Sequence, residues 1–173
     1  MAIDLDNEMH AGWLDDSGES WSLEELPTRK ECTPWLNGHC SIMAHALHQK
    51  YGLTLVAIIF QEDYPNTEAN LAHAMAIAPN GKVVDSRGAR DLGTVLDYYR
   101  NFERCDFGLE LEDNASDILV YSKAVTIEEL DQLTEPFKKF HNTEVAHEYI
   151  EKYERFFDAA CGLKKKPSIK LKR

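Results

Sequence analysis

The stretch "LAHAMAIAPNGKVVDSRG", residues 71–88, joins two apolar segments through a turn sequence and predicts an antiparallel hairpin. Pro79 suits the second position of a type I turn, Asn80 the third, and Gly81 the left-handed position that follows. The resulting three-residue loop fixes which residues face each other. A two-residue Asn-Gly loop is the alternative, and it would move every side chain of one strand to the opposite face. The preceding proline favours the three-residue loop.

This register brings a histidine and an aspartate to one face of the hairpin. Met75 then lies opposite Asp85, which makes His73 and Asp85 diagonal neighbours on the same side. Diagonal neighbours are about 7–8 Å apart at the backbone, within reach of an imidazole–carboxylate hydrogen bond. Two other interpretations stay open: Asp85 pairs with Arg87 or Arg90, and His73 is an ordinary strand residue.

A third candidate residue lies in "NGHCSIMAHALHQKYG", residues 37–52, where apolar spacing predicts a helix over about 40–50. Cys40 would open this helix. A helix N-terminus and a nearby imidazolium both stabilise a thiolate. The hypothesis is that Cys40 is a nucleophile, His73 its general base and Asp85 the group that orients the imidazole.

The cysteines and histidines leave two alternatives open, an inert buried thiol and a zinc site formed with the histidines near Cys40. The chain has no CxxC or HExxH pattern, so we expect neither a metal nor a cofactor. Irregular spacing and the absence of a secretory signal favour free thiols over disulfides. The residues concerned are Cys32, Cys40, Cys105, Cys161, His39, His45 and His48.

The remaining pattern predicts a mixed succession of strands and helices. Strands are expected at 53–60 and 117–125, and helices at 91–102, 126–133 and 143–160, besides a short one at "SLEEL". Thr126 and Glu129 form a capping box. The last helix is expected to pack through a stripe of Val145, Tyr149, Tyr153, Phe156, Phe157 and Ala160. We predict a single α+β domain over 1–163, including an acidic N-terminal arm at 1–31, followed by a basic tail at 164–173.

Charge and composition limit the function classes. The chain has 173 residues, 43% of them apolar, which is enough for one core. Residues 1–163 hold 13 basic and 30 acidic side chains, a balance of −17. Such a surface repels phosphate backbones, which argues against nucleic acid as a partner. The sequence contains no apolar window of membrane-spanning length and no signal peptide, so we expect a cytoplasmic protein without a membrane partner.

The order Cys, His, Asp in "GHCSIMAHALHQKYG" and "HAMAIAPNGKVVDSRG" resembles the papain-like and transglutaminase-like superfamily, especially small bacterial and phage members and toxin deamidase domains. The resemblance covers roughly residues 35–90. It implies a core in which an N-terminal active-site helix packs on an antiparallel sheet, followed by C-terminal helices. Papain-like proteases place an oxyanion-hole glutamine before the cysteine, and no glutamine precedes Cys40. Asn37, the Trp35 indole or a backbone N–H are candidates to replace it, and His39 is a candidate to tune the thiol.

These features together suggest a cysteine-dependent acyl-transfer hydrolase that acts on amide bonds through a thioester. A deamidase or peptidase acting on a protein substrate is the first expectation. Transglutaminase-like and arylamine acetyltransferase-like reactions remain open, because the acceptor alone separates these outcomes. The alternative from another class is a non-catalytic phage or bacterial module that engages a host protein through its acidic surface.

Overall fold

The computed structural model describes residues 23–36, 38–62, 68–106, 118–135 and 142–163. A 3-10 turn at Leu23–Glu25 replaces the short helix expected at "SLEEL". The helices are α1 (Arg29–Leu36), α2 (Cys40–Tyr51), α3 (Leu92–Asp106), α4 (Ile127–Leu133), α5 (Thr143–Lys152) and α6 (Glu154–Ala160). The strands are β1 (Thr54–Glu62), β2 (Asn70–Ile77), β3 (Val83–Asp85), β4 (Gly88–Arg90) and β5 (Ile118–Val125).

The five strands form one antiparallel sheet in the order β4-β3-β2-β1-β5. The protein therefore has the predicted α+β class. The loop between β2 and β3 is the predicted three-residue turn, since the Ala78 N–H donates to the Lys82 carbonyl over 2.9 Å. Gly81 has a φ of +81°, the left-handed conformation expected there. Ala76 pairs with Val84, which confirms the predicted register.

The segment after this turn differs from the prediction. A single strand over 82–88 was expected to end at its glycine, but β3 ends at Asp85 and the chain reverses to form β4. Gly88 starts β4 with a φ of +93°. A Cβ at this position would lie only 2.7 Å from Cζ of Phe156, so the turn packs directly on α6. The sequence does carry a signal for this reversal, because Asp85 and Gly88 occupy the first and fourth positions typical of a type I turn, but the sequence interpretation gave the glycine only the role of ending a strand.

Helices cover both faces of the sheet. On one face, called the α2 face, Ala76 and Val84 pack beneath α2, α5 and α6, and Ala57 and Ala74 pack beneath α2 and α4. On the other, called the α3 face, Ile58, Met75 and Val83 pack against Val95 and Tyr99 of α3. Alternate residues of a strand point to opposite faces, so this division fixes the orientation of every β2 side chain.

The C-terminal helices correct another prediction. The helix expected over 143–160 is interrupted at Tyr153, where α5 ends and α6 begins. Val145 was placed in the buried stripe, but it is 51% exposed. Ala146 and Ile150 are buried on α5 instead. The buried positions Ala146, Ile150, Tyr153 and Phe157 keep helical spacing across the break, and Val145 lies one residue off this stripe.

Residues predicted as part of an N-terminal arm also belong to the folded body. Helix α1 begins before the expected boundary at residue 31 and buries Cys32 and Trp35. Its start is capped reciprocally, because the Thr28 N–H donates to the Glu31 carboxylate and the Glu31 N–H donates to the Thr28 hydroxyl. The helix accommodates Pro34 near its C-terminal end. Residues 1–22 and the tail at 164–173 lie outside the described residues.

In the described part of the chain, helices long and apolar enough to cross a membrane are absent.

Candidate active site

The candidate site lies at a gap in the sheet. Strand β2 begins at Asn70, but its pairing with β3 is confined to Ala76–Val84 and Ile77–Val83. The first half of β2 thus extends beyond the end of β3. Helix α2 reaches this gap with its first residue, Cys40, which packs with Ala74 of β2.

His73 and Asp85 lie together on the α3 face, as the sequence predicted. His73 is opposite Ile58 of β1 and one residue before Ala74, which points to the α2 face. Its Nε2 lies 3.0 Å from Oδ2 of Asp85. Both residues are buried, with exposures of 0% and 2%. A hydrogen bond in this position fixes the tautomer of the imidazole and its orientation.

Two arginines also bind Asp85. Arg87 and Arg90 were alternatives to His73 as partners of this carboxylate, and all three residues bind it together. Arg87 donates from Nη2 to Oδ2 over 2.7 Å and from its backbone N–H to Oδ1 over 2.8 Å. Arg90 donates from Nη2 to Oδ2 over 2.5 Å. Burial opposes ionisation of the carboxyl, but the charges of both arginines and the bond from His73 hold its pKa well below the usual range.

The ion cluster of Asp85, Arg87 and Arg90 lies directly beside the His73 imidazole. Charge interactions in a low-dielectric site are much stronger than in water. The cluster therefore keeps Asp85 ionised and in place to orient the imidazole.

The Cys40 thiol has a lowered pKa despite its burial. The residue is 7% exposed. Burial alone would raise its pKa, but hydrogen bonding and charge interaction with His73 outweigh burial and lower it. The backbone N–H groups of Ala74 and Ser41 contribute to the same shift. The sulfur is thus stabilised from the strand, from the histidine and from the first turn of its own helix.

His73 responds in the complementary direction. Burial disfavours its protonated form, yet the hydrogen bond to Asp85 and the interactions with the Cys40 thiol raise its pKa. Since Nε2 is bonded to Asp85, the nitrogen left for Cys40 is Nδ1, which is buried and has no partner at ordinary hydrogen-bond geometry among the described residues. A lowered thiol pKa and a raised imidazole pKa favour a thiolate–imidazolium pair.

The other described cysteines have the opposite properties. Burial raises the pKa of Cys32 to about 11 and that of Cys161 to about 12. Both are 1% exposed. The Cys105 side chain lies outside the described residues. Among the three cysteines with described side chains, only Cys40 combines a lowered pKa with a histidine partner.

Tyr99 is a site residue that the sequence interpretation missed. Its ring stacks on the His73 imidazole with 5.5 Å between centroids and 22° between planes. It comes from α3 and covers the α3 face of the candidate triad, with 9% of its surface exposed. Its position in "DYYRNF" carries no motif, so only the amphipathic spacing of α3 places it toward the sheet.

The candidates to support the oxyanion were Asn37, Trp35 and His39, and the structure describes two of them. Asn37 lies outside the described residues. The Trp35 ring packs against Tyr149 and His39, and Nδ1 of His39 lies 3.2 Å from the Pro34 carbonyl.

Trp35 and His39 instead line a groove of about 500 Å³ between α1 and α5. Pro34, Ile42, Val145 and Tyr149 form most of its remaining apolar wall. Cys40, His73 and Asp85 are not among its lining residues, so the groove is separate from the candidate triad.

The histidines considered as zinc ligands contact other groups. Nε2 of His45 lies 3.5 Å from a carboxylate oxygen of Asp131. Nδ1 of His48 lies 2.6 Å from the Leu53 carbonyl. Within the described ranges, no three His, Cys, Asp or Glu side chains are grouped closely enough to hold a metal ion.

Comparison with known proteins gives no match of this chain to a family model, to a curated protein or to a solved structure. Functional inference therefore depends on the site itself. The site combines a thiol of lowered pKa, a histidine that interacts with this thiol and a carboxylate bonded to the histidine, which are the residue types that covalent acyl transfer requires.

Proposed function

We propose that the chain is a cysteine-dependent acyl-transfer hydrolase that acts on amide bonds, with Cys40 as nucleophile, His73 as general base and acid, and Asp85 as the orienting group. The observation that supports this most strongly is a pair of opposite shifts in two buried residues in contact: the pKa of Cys40 is lowered and the pKa of His73 is raised, where burial alone would favour neutral groups. A purely structural thiol gains nothing from such an arrangement. The papain-like resemblance agrees with the same three roles.

The reaction follows from these positions. The Cys40 thiolate attacks the amide carbonyl carbon, and a C–S bond forms as the carbonyl oxygen becomes an oxyanion. The proton on Nδ1 of His73 passes to the leaving nitrogen, the C–N bond breaks, and ammonia or an amine departs. Water then attacks the thioester while His73 accepts its proton, the C–S bond breaks, and a carboxylic acid is released. The proton held by His73 restores the initial ion pair.

The nature of the acceptor and of the leaving group separates the possible reactions. Loss of ammonia from a glutamine side chain makes the enzyme a deamidase, and loss of a peptide amine makes it a peptidase. We favour a protein substrate for either reaction, because the proposed resemblance is to small enzymes of that kind. The acidic surface of the chain suits a partner of basic charge.

Selective alkylation tests the proposed nucleophile. At mildly acidic pH, iodoacetamide should label Cys40 ahead of the other three cysteines, and His73→Ala should abolish that preference. His147→Ala is a matched control, since His147 is bonded to Gln49 on the protein surface and does not contact the site. Equal labelling of all thiols, unchanged by His73→Ala, would instead favour the non-catalytic binding module.

A second experiment identifies the reaction. Cellular proteins are incubated with the wild-type chain or with Cys40→Ala and compared by mass spectrometry. Glutamines converted to glutamates indicate a deamidase, new peptide ends a peptidase, and new crosslinks a transglutaminase. Indistinguishable protein profiles, together with an unreactive Cys40, would contradict the proposal.

A further inference from the structure

The turn after Asp85 leaves the sheet one residue before the point where β3 could pair further with β2. Hydrogen bonding between β2 and β3 includes the donation from the Ala78 N–H to the Lys82 carbonyl. In an antiparallel pair, alternate residues direct their N–H groups to the same neighbour, so the Ala76 and Ala74 N–H groups also point toward the β3 side. Continuing the observed register would place Ala74 opposite Ser86.

The Ser86 carbonyl is engaged elsewhere. It accepts a hydrogen bond from the Tyr149 hydroxyl over 3.2 Å and one from the Cys32 thiol over 3.4 Å. The Ser86 hydroxyl in turn donates to the Cys32 carbonyl over 3.4 Å. Helices α1 and α5 thus bind this residue from outside the sheet, and β3 ends one residue earlier at Asp85.

The Ala74 N–H released from strand pairing is the group that bonds to the Cys40 sulfur. The same displacement fixes Asp85, because the bound Ser86 directly follows it in the chain. Diversion of a single carbonyl therefore has two effects: it opens the gap that the thiol occupies, and it holds the carboxylate that faces His73.

We propose that Tyr149 and Cys32 are positioning residues for the candidate triad, which act by holding the Ser86 carbonyl away from β2 so that the Ala74 N–H serves the Cys40 sulfur. This inference rests on the proposed function. Neither residue contacts the reacting atoms. Without the hydrogen bonds from Tyr149 and Cys32, the Ser86 carbonyl would accept from the Ala74 N–H and extend the pairing of β3 with β2. The Cys40 sulfur would then lose one of its donors.

The chain offers a matched pair of variants for the test. Tyr149→Phe removes only the hydroxyl and keeps the ring contacts with Trp35 and Phe157. Tyr153→Phe is the control, because the Tyr153 hydroxyl donates to Glu31 over 2.6 Å and does not contact the turn. Cys32→Ala is a second variant that acts on the same carbonyl by removing the other donor.

The measurement is the rate of Cys40 alkylation by iodoacetamide as a function of pH, followed by mass spectrometry on folded protein. A tenfold change in thiolate fraction corresponds to one unit of pKa. A hydrogen bond to a charged group is among the stronger ones, so its weakening should lower the rate at pH 6 by about three- to tenfold in Tyr149→Phe. Cys32→Ala should shift the profile in the same direction, and Tyr153→Phe should match the wild type.

Three results would overturn the inference. If Tyr149→Phe keeps the wild-type profile while wild-type Cys40 reacts at low pH, the positioning role is wrong and the proposed function stands. If Tyr153→Phe shifts the profile as much as Tyr149→Phe, the effect belongs to general packing of α5 and the inference is again wrong. If wild-type Cys40 itself shows no reactivity at low pH, the proposed function fails, and the inference fails with it.

Discussion

Replacement of Asp85 by asparagine tests the charge cluster beneath the candidate triad. The substitution keeps the shape of the side chain and removes its charge, which leaves Arg87 and Arg90 without their shared buried counter-ion. The side chains of the two arginines are only 10% and 11% exposed. Removing one partner from a buried ion pair costs about 3–5 kcal/mol, because the remaining charge is left uncompensated. For a chain of this length, that corresponds to a decrease in Tm of about 6–20 °C.

The matched control is Asp97→Asn, which breaks the Arg100–Asp97 pair on the surface of α3. These side chains are 51% and 71% exposed, so we expect little change in stability. The free energy of unfolding is measured by urea titration with tryptophan fluorescence. Similar stabilities for the two variants at neutral pH would refute the electrostatic account of the site.

The pH dependence of this difference has a defined sign. The pKa of Asp85 is lower in the folded protein than its usual value. Its ionised form therefore stabilises the fold above the unfolded-state pKa of about 3.9, and this contribution is lost as the pH falls through the lower folded-state pKa. We expect the difference between wild type and Asp85→Asn to persist from neutral pH to about pH 4 and to narrow only below it.

Three further predictions concern the thiol, its histidine and the turn. The alkylation rate of Cys40 should begin to rise well below the pH of about 8.5 typical of a free thiol, and a single rise at that pH would contradict the ion pair. Tyr99→Leu removes the ring stacked on His73. The imidazole pKa should fall by about 0.4–1.5 units, which is the equivalent of a cation–π contact of about 0.5–2 kcal/mol. Nuclear magnetic resonance titration of the imidazole ring protons measures this pKa. Gly88→Ala should destabilise the fold by about 1–3 kcal/mol more than Gly81→Ala, because both positions have positive φ but only the first would also place a Cβ against a buried ring. Equal losses of unfolding free energy in the two glycine variants would show that packing at the turn is unimportant.

The hairpin shows how much of this fold and site local chemistry predicts. Pro79, Asn80 and Gly81 determine the loop length, loop length determines register, and register placed His73 and Asp85 on one face. Each step depends only on residues close in sequence. The same is true of α2, which starts at Cys40 as predicted and is followed by Gly52 in the αL conformation.

The parts that were missed depend on contacts between distant segments. The reversal at Ser86 is held by Cys32 and Tyr149, which lie 54 and 63 residues away in the chain. No pattern of neighbouring residues in the sequence predicts such a contact. Tyr99 reaches His73 only because α3 packs on the second face of the sheet, and that packing is a tertiary property.

Helix α1 is a different case, because a usable signal was present. Thr28 and Glu31 have the same spacing as Thr126 and Glu129, the capping box that was identified and that the structure confirms. Pro34 argued against a helix there, since a proline lacks the N–H that continues the backbone ladder. Pro34 is the sixth of the eight residues of α1, so the helix lacks the backbone bond that an N–H at this position would make to the Lys30 carbonyl.

The start of α2 limits the ways in which this fold can become more thermostable. His39 provides no side-chain cap to the helix, whereas a serine, threonine or aspartate in that place commonly adds about 0.5–2 kcal/mol. A capping oxygen would compete for the Ser41 N–H, which bonds to the sulfur, and an aspartate would add a negative charge beside a thiolate. If the thiol is a nucleophile, greater heat resistance at this helix end would come with slower chemistry, and adaptation to higher temperature would have to proceed through other parts of the molecule.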